Sequence, residues 1–556
     1  MNEDIEKTLS EAFHILSMYY NQEAYVQALE YALRIKNKYE SQLDPTHDML
    51  FELYMKLSTL YGLNGMHADQ LETCLKASKM FSEQIKASKE KEIEFYTNMA
   101  KAHSDLHYFP EGLPWAKRAI ELLEANPECN TDNRSIQIHN LIADLLRQTG
   151  QDELAIEYYQ KTIEIYTRVF GRKYGAITYC YRNIARIYFR RGKYDKSLAW
   201  LLKAQALIDK LPHRDCYSQA LIHSALALQY EVVGQSSKAT ECLNKMKAAF
   251  ESESKLSTHS RTQLASNICD ILMLKKEPKQ ALEWQQKAVS MAEKYFKKEH
   301  PATAIEYTSL GHVYETMKNY NMAIKNYIKA FTLRKSLFGI EHEATLNCLA
   351  RIGSCYSKAK NYIKGEEVLL EAIRAEEKFY GEEESPLMLH TYLPLAINYS
   401  EREMNEQAEI YFRKALLLYE KFPDQITDQY PETLHIVMNF YLRTAKYDIA
   451  LEYAIKRYEI LRKTFGKENN RTLYAACNMA ECYSALNEHD KAIELYIQVM
   501  RSFTSRYGLQ SEHCQTVFSD LHTAHKLAGI EEDFSQWLIP YIKDIPLHKI
   551  NRKRKK

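Results

Sequence analysis

The 556-residue sequence is poor in glycine and proline, with 16 and 13 residues respectively. Both residues break helices, so their scarcity favours long helices over sheets with many turns. Charge of one sign is also missing: 74 basic residues face 73 acidic ones. No global field therefore selects for nucleic acid or an acidic membrane surface. No stretch approaches the roughly 20 apolar residues of a membrane span. We expect a soluble, helical protein.

Motifs for chemistry are missing as well. The eleven cysteines include no Cys-x-x-Cys pair, and no apolar signal segment follows the N-terminus, so we interpret them as reduced core residues of a cytoplasmic protein. The sequence has no G-x-x-x-x-G-K-[ST] phosphate loop, no G-x-S-x-G elbow and no H-E-x-x-H metal motif. It therefore predicts no enzyme, no cofactor and no bound metal.

What the chain does contain is a repeat of 42 or 43 residues that runs from end to end. A small residue recurs at this spacing, with one exception, at Ala28, Gln70, Gly112, Ala155, Ser197, Ala239, Ala281, Ala323, Gly365, Ala408, Ala450 and Ala492. A fixed period of this length is typical of a solenoid, in which each unit is too small to bury its apolar face alone and stacks on its neighbours. Little of the chain is left for a catalytic domain.

The eighth unit shows most clearly how one repeat is built. Spacings of three, one and three place one stripe on a first helix, and spacings of four and three place another on a second helix: Tyr307, Leu310, Gly311 and Tyr314, then Ala323, Tyr327 and Ala330. Gly311 and Ala323 are small, so the two backbones can approach closely where the helices cross. The pattern predicts an antiparallel helical hairpin.

This pattern resembles the tetratricopeptide repeat, W-x2-L-G-x2-Y…A-x3-F, over about residues 9 to 510. The linkers between units, such as Phe338-Gly339 followed by His342, are similar to those of kinesin-light-chain-type repeats. Glycine after an aromatic residue suits a helix C-cap, and the linker histidines His300 and His342 suit capping of the next helix. The resemblance implies binding of a cargo or peptide along an inner groove.

We therefore predict an all-α fold, a right-handed α-solenoid superhelix of about twelve helical hairpins plus a C-terminal capping helix pair. Residues 1–510 form the array, residues 511–546 a partial repeat and capping helix, and residues 547–556 a basic tail. A terminal cap is expected because the last repeat must shield its apolar face from solvent. We interpret the tail as a disordered, solubilising end; the alternative is a nuclear-localisation signal.

The resemblance implies that the first helices line the groove, and the fifth repeat has an unusual set of residues there. Arginines recur at steps of four, with aromatic residues beside them and a basic or polar extension from earlier repeats: Arg182, Arg186 and Arg190, Tyr179 and Phe189, and Asn140, Lys101 and Asn98. Arginines on one helix face repel one another and become favourable when an acidic partner neutralises them. The alternative is a solvated face that Asp144 and Glu231 partly neutralise. His435 and Asn439 are our second choice of site.

Three functions fit such a chain. The first is an adaptor or scaffold that holds a protein or peptide segment, with an acidic stretch, in the groove. The second is a regulatory receptor whose superhelix responds to a signal peptide or ligand. The third is association with nucleic acid, which the balanced charge and the lack of a continuous basic track disfavour. We predict the first.

Overall fold

The computed structural model describes residues 2–21, 24–44, 47–64, 66–80, 88–106, 108–129, 131–171, 175–211, 216–252, 256–296, 300–381, 385–422 and 429–543. These residues form 26 α-helices and two short 3-10 helices, Pro127–Cys129 and Pro386–Met388, and they contain no strand. The predicted all-α class is confirmed.

Residue contacts divide the chain into two units, Met1–Cys355 and Tyr356–Lys556. The first unit holds, in order, α1 (Asn2–Asn21), α2 (Tyr25–Tyr39), α3 (Asp48–Leu63), α4 (His67–Lys79), α5 (Lys89–Asp105), α6 (Phe109–Ala125), α7 (Asp132–Gln148), α8 (Asp152–Phe170), α9 (Ile177–Arg190), α10 (Tyr194–Ile208), α11 (Cys216–Val232), α12 (Ser236–Glu251), α13 (Thr258–Leu274), α14 (Pro278–Phe296), α15 (Pro301–Thr316), α16 (Tyr320–Phe338) and most of α17 (Glu343–Lys358). The second unit holds α18 (Tyr362–Tyr380), α19 (Leu389–Glu401), α20 (Asn405–Lys421), α21 (Tyr430–Arg443), α22 (Tyr447–Phe465), α23 (Asn470–Ala485), α24 (His489–Tyr507), α25 (Glu512–Leu527) and α26 (Phe534–Ile542).

Odd-numbered helices are the first helices of the hairpins and even-numbered helices are the second. Within each unit, consecutive helices contact one another along the chain. All twelve positions of the small-residue repeat are buried. The one large residue among them, Gln70, is 1 % exposed and lies against Gly62 of the facing helix, where an added Cβ would stand 2.8 Å from its Nε2 atom. The small residue has thus moved to the other helix of that hairpin.

The turn inside each hairpin has the same geometry along most of the chain. A residue with positive φ recurs at Gly150, Gly192, Gly234, Lys276, Lys318, Lys360, Glu403, Ala445, Asn487 and Gly529. The N–H of the residue after it bonds back into the first helix, as Asn319 does to the carbonyl of Tyr314 at 2.8 Å. This is the Schellman ending of a helix, which usually takes glycine. Sequence reasoning missed it because six of these ten residues are not glycine.

The linkers between hairpins match the expected capping chemistry. Glycines that follow the aromatic ends of second helices have positive φ, at Gly171, Gly339, Gly381, Gly466 and Gly508. The Nδ1 atoms of His300 and His342 accept hydrogen bonds from the backbone N–H groups of Ala302 and Ala344, both at 3.1 Å. Both predicted roles, C-cap glycine and N-cap histidine, are confirmed.

His342 also makes a contact that no local pattern predicts. Its Nε2 donates to the carbonyl oxygen of Leu106 at 2.9 Å, although 236 residues separate them. Its ring stacks on Phe338 at 4.5 Å and meets the edge of Tyr108 at 5.3 Å between centroids. The linker before α17 therefore touches the turn between α5 and α6, so the chain of the first unit curls back on itself.

The C-terminal helices α25 and α26 occupy the place predicted for the cap. They meet through Phe518 and Phe534, whose ring centroids are 5.0 Å apart, and Leu538 is buried against the last apolar cluster. The domain limits at 510 and 546 stay a prediction, and the tail 547–556 lies outside the described residues. The eleven cysteines all lie in the described ranges, and no disulfide joins any of them.

Candidate functional site

The basic site predicted in repeat five is built by two first helices, α7 and α9, with one side chain from the second helix α8. Arg182 and Arg186 lie one turn apart on α9, and Arg147 lies near the end of α7. The guanidinium of Arg186 is close enough to repel those of Arg182 and Arg147. We call Arg147, Arg182 and Arg186 the arginine cluster.

Asp144 is the carboxylate within this cluster, and neutral donors already hold it. Its Oδ1 accepts from the hydroxyl of Tyr159 at 2.5 Å, and its Oδ2 accepts from the hydroxyl of Tyr179 at 2.6 Å. Burial, and then the charge of Asp144, raises the pKa of both tyrosines, which keeps their hydroxyls protonated. The Nη2 of Arg147 is 3.9 Å from Asp144 Oδ1. One negative charge therefore faces three positive charges.

Two of the three arginines of α9, Arg182 and Arg186, lack a direct ion pair within the described residues, although the charge of Asp144 reaches Arg186. Among the described residues neither Arg182 nor Arg186 makes an ion pair or a hydrogen bond, and the Nε of Arg182 is buried and unsatisfied. Two effects lower the pKa of Arg182: burial is the larger, and the positive charge of Arg186 is the smaller. Burial and the positive charge of Arg147 lower the pKa of Arg186 in the same order. The side chain of Arg186 is exposed and that of Arg182 is half-buried, so these two like charges repel one another and an anion would relieve the repulsion.

Arg190 does not join them, so the expected row of three free arginines is reduced to two. Its guanidinium pairs with Asp152, which is only 5 % exposed, and its Nη2 also donates to the carbonyl of Arg147 at 3.2 Å. Arg191 binds the same carboxylate at 2.7 Å. Phe189 packs edge-on against Tyr194 at the hairpin turn, 5.4 Å between centroids. Arg190 lies one helical turn beyond Arg186, and from there it reaches Asp152 at the start of α8 in the preceding hairpin.

The other predicted residues divide between near and distant positions. Asn140 lies on α7, and its Oδ1 accepts from the thiol of Cys180 on α9 at 3.6 Å, so it borders the cluster. Asn98 and Lys101 lie on α5, one hairpin earlier. The Nδ2 of Asn98 is 3.8 Å from the sulfur of Met55, and the positive charge of Lys101 opposes the rise in the pKa of Asp105 that burial causes. In the described part of the chain no contact joins Asn98 or Lys101 to the arginine cluster.

The second choice of site, in the second unit, is a cavity of about 300 Å³ that His435 lines. The Nδ2 of Asn439 lies 3.3 Å from His435 Nε2 outside the cavity lining. Arg457 also lines it, but its donors are engaged: Nε bonds the carbonyl of Pro431 at 3.0 Å and Nη1 bonds Asn478 at 2.8 Å. A buried arginine that is already satisfied offers less to an anion than the arginine cluster does.

Two searches of the described residues bear on the class of protein. They contain no group of three or more His, Cys, Asp or Glu side chains arranged to hold a metal ion. Within the same ranges, every helix is too short or too polar to cross a membrane.

Comparison with known proteins gives matches in both units. A protein-family model described as "Tetratricopeptide repeat" matches residues 134–210, 305–378 and 432–505. No curated protein matches this chain in sequence.

Similar solved structures include BtubC (BKLC) from P. vanneervenii, with 18 % identity, 43 % of this chain, 94 % of that chain and a TM-score of 0.35. A Podosopora anserina protein with nearly identical TPR-like repeats, described as a kinesin light chain, is 17 % identical to this chain. That match covers 38 % of this chain and 99 % of that chain, with a TM-score of 0.33. A signal-transduction ATPase with numerous domains and a tetratricopeptide-repeat sensor, from Pyrococcus horikoshii, is 18 % identical to this chain. That match covers 69 % of this chain and 54 % of that chain, with a TM-score of 0.40. At these values we draw nothing about function from the three structures.

Proposed function

Since this chain is a tetratricopeptide-repeat protein, we propose that it is a protein-interaction scaffold that binds an acidic segment of a partner at the arginine cluster. Repeats of this kind bind protein partners. The observation that supports the acidic segment is the pair of unpartnered guanidinium groups of Arg182 and Arg186 on one face of α9.

The electrostatic gain favours a carboxylate as the ligand group. At an effective dielectric constant near 20, a carboxylate about 4 Å from a guanidinium gains about 4 kcal/mol before desolvation and ordering are subtracted. Arginine also offers two parallel N–H groups to a carboxylate, which fixes the orientation of the ligand. Two such contacts, together with the relief of repulsion between Arg182 and Arg186, make an acidic segment the best complement of this surface.

The surroundings of the cluster suit a peptide better than nucleic acid. Tyr179 is 37 % exposed beside Arg182 and provides an apolar contact for a neighbouring side chain. The carboxylate of Asp144 lies within the cluster, where its negative charge would repel a run of phosphates. Nucleic acid needs a continuous basic track, whereas the charged surface here is confined to two neighbouring hairpins.

The test measures binding of a fluorescent acidic decapeptide of alternating glutamate and leucine by anisotropy. We expect the Arg182→Ala/Arg186→Ala protein to bind it at least tenfold more weakly than the wild type, which corresponds to about 1.4 kcal/mol. The matched control is Arg118→Ala/Arg168→Ala, which removes the same charge from side chains that are 51 % and 70 % exposed and paired on the surface. The control should change binding less than twofold.

Stability separates a binding role from a structural one. Because Arg182 and Arg186 have no partner, their replacement should leave the free energy of unfolding unchanged or slightly higher. Equal binding by the wild type and the double variant would place the binding site elsewhere. In capture from a cell extract, material that is lost on nuclease treatment would instead favour nucleic acid.

A further inference from the structure

A second site lies apart from the arginine cluster, in a cavity of about 660 Å³ between the second helices α10 and α12. The first helix α11 forms its floor, with Ala220, His223 and Leu226 all buried. Its walls and rim include apolar atoms of Leu202 and Ala249. The volume lies in the range of about 300–1,000 Å³ that is typical of pockets for small ligands.

Two residues that line this cavity carry buried polar atoms without hydrogen-bond partners. His223 is 6 % exposed, its Nδ1 has no hydrogen-bond partner, and no bond to its other ring nitrogen is found among the described residues. The Oε1 of Gln205 is also buried and unsatisfied, while the amide nitrogen of Gln205 bonds Asp209 at 2.9 Å. Leaving a buried polar atom unpaired is unfavourable. Both atoms therefore favour a ligand that carries a hydrogen-bonding group.

The repeat explains why the cavity exists at this hairpin. In hairpins two and eight a tyrosine holds the position of His223, and its hydroxyl donates to a glutamate 14 residues earlier on the preceding second helix: Tyr54 to Glu40 and Tyr307 to Glu293. In hairpin six the two corresponding residues are His223 and Asp209. Both side chains are shorter, and no hydrogen bond joins them in the described structure. The space that the longer tyrosine and glutamate side chains occupy in hairpins two and eight is therefore only partly filled in hairpin six.

The charges around the cavity favour a neutral ligand group. Asp209 and Glu241 would repel a carboxylate, and Lys238 and Lys245 would repel an ammonium group. Burial, and then Lys245, lowers the pKa of His223, so its imidazole is neutral. A neutral imidazole nitrogen either donates or accepts, and a hydroxyl does both.

We propose that this cavity binds a phenolic ring, with the hydroxyl hydrogen-bonded to His223 and Gln205. The phenol belongs either to a free small molecule or to a tyrosine of a partner peptide. The proposal is independent of the arginine cluster, because none of the cluster residues lines the cavity.

The test uses saturation-transfer NMR on the full chain with p-cresol, with p-xylene as the probe that lacks the hydroxyl, and with acetyl-Ala-Tyr-Ala amide. We expect saturable binding of p-cresol at least tenfold tighter than of p-xylene. His223→Tyr should place a phenol ring of the protein itself beside Gln205 and weaken p-cresol binding at least tenfold. His223→Ala should keep the cavity and remove the preference for p-cresol over p-xylene.

The matched control is His139→Ala, which changes the equivalent residue of hairpin four. There the imidazole Nδ1 bonds the carbonyl of Ser135 at 2.7 Å. It should leave p-cresol binding unchanged. Tighter binding of the peptide than of p-cresol would identify a partner tyrosine, and the reverse a free phenol. Absence of saturable binding of both phenols, equal affinity for p-cresol and p-xylene, or undiminished binding by His223→Tyr would each overturn the proposal.

Discussion

Replacing Gly311 with alanine tests the close helix crossing on which the repeat depends. A Cβ at position 311 would lie 2.6 Å and 2.7 Å from two ring carbons of Tyr327. Ordinary contact begins near 3.4 Å, so the ring would have to retreat by at least about 0.8 Å. Tyr327 is 0 % exposed and its hydroxyl donates to Glu315 at 2.7 Å, so it has little room to move.

Two effects of opposite sign compete in this substitution. Alanine within a helix is more favourable than glycine by about 1 kcal/mol. Overpacking of a closely packed site costs about 1–3 kcal/mol. We therefore expect Gly311→Ala to lower the local free energy of unfolding by about 1 kcal/mol. In a Tyr327→Ala background the new methyl group enters the space that the ring leaves, so the same substitution should become stabilising by up to about 1 kcal/mol.

The measurement is native-state hydrogen exchange of the amides in α15 and α16 for the four proteins of this cycle. Exchange is the suitable assay because repeat arrays unfold in parts, and a single global transition does not report on one crossing. The two substitutions should couple by about 2 kcal/mol. An effect of the same sign and size in both backgrounds would refute the steric explanation of Gly311.

Three further predictions concern single residues. Glu376 is 3 % exposed and burial raises its pKa to about 7, so stability is lost as pH rises from the unfolded value near 4.5 towards 7. Glu376→Gln should therefore raise the free energy of unfolding, measured by urea denaturation, more at pH 8 than at pH 5, by up to about 2 kcal/mol. An equal gain at both pH values would contradict this. Burial lowers the pKa of His342, so its contribution to stability is present above the unfolded pKa of about 6.5 and is lost on acidification. Hydrogen-exchange protection around Leu106 should therefore fall between pH 7.5 and 5.5 in the wild type. The His342→Ala variant should show no such fall. Ala445 has a φ of 56°, a left-handed conformation that strains a residue with a Cβ atom. Ala445→Gly should therefore stabilise the second unit by up to about 1 kcal/mol in a thermal melt. A lower melting temperature would contradict this strain.

The candidate site was predictable in its residue types and only partly in its geometry. A spacing of four placed Arg182 and Arg186 on one face of α9, because that period belongs to the helix itself. Arg190 obeys the same period, yet it pairs with Asp152. The spacing gives the direction of a side chain on its own helix, whereas the partner is set by which residue of the preceding hairpin lies within reach.

The sequence alone determined the class and the repeating unit of this protein. A hairpin of two helices is a local structure: the helical period, the small residues at the crossing and the capping glycines all act within about 40 residues. Neighbouring hairpins then contact because each has an apolar face that only the next one can cover.

Only the tertiary structure decided which groups meet across distant or non-equivalent parts of the chain. His342 and Leu106 are 236 residues apart, and their contact depends on the summed rotation of all the hairpins between them. The cavity at His223 arises because two side chains on different helices are both short, a coincidence visible only once the register of the hairpins is known. Small angles accumulate over many repeats, and a periodic sequence does not specify their sum.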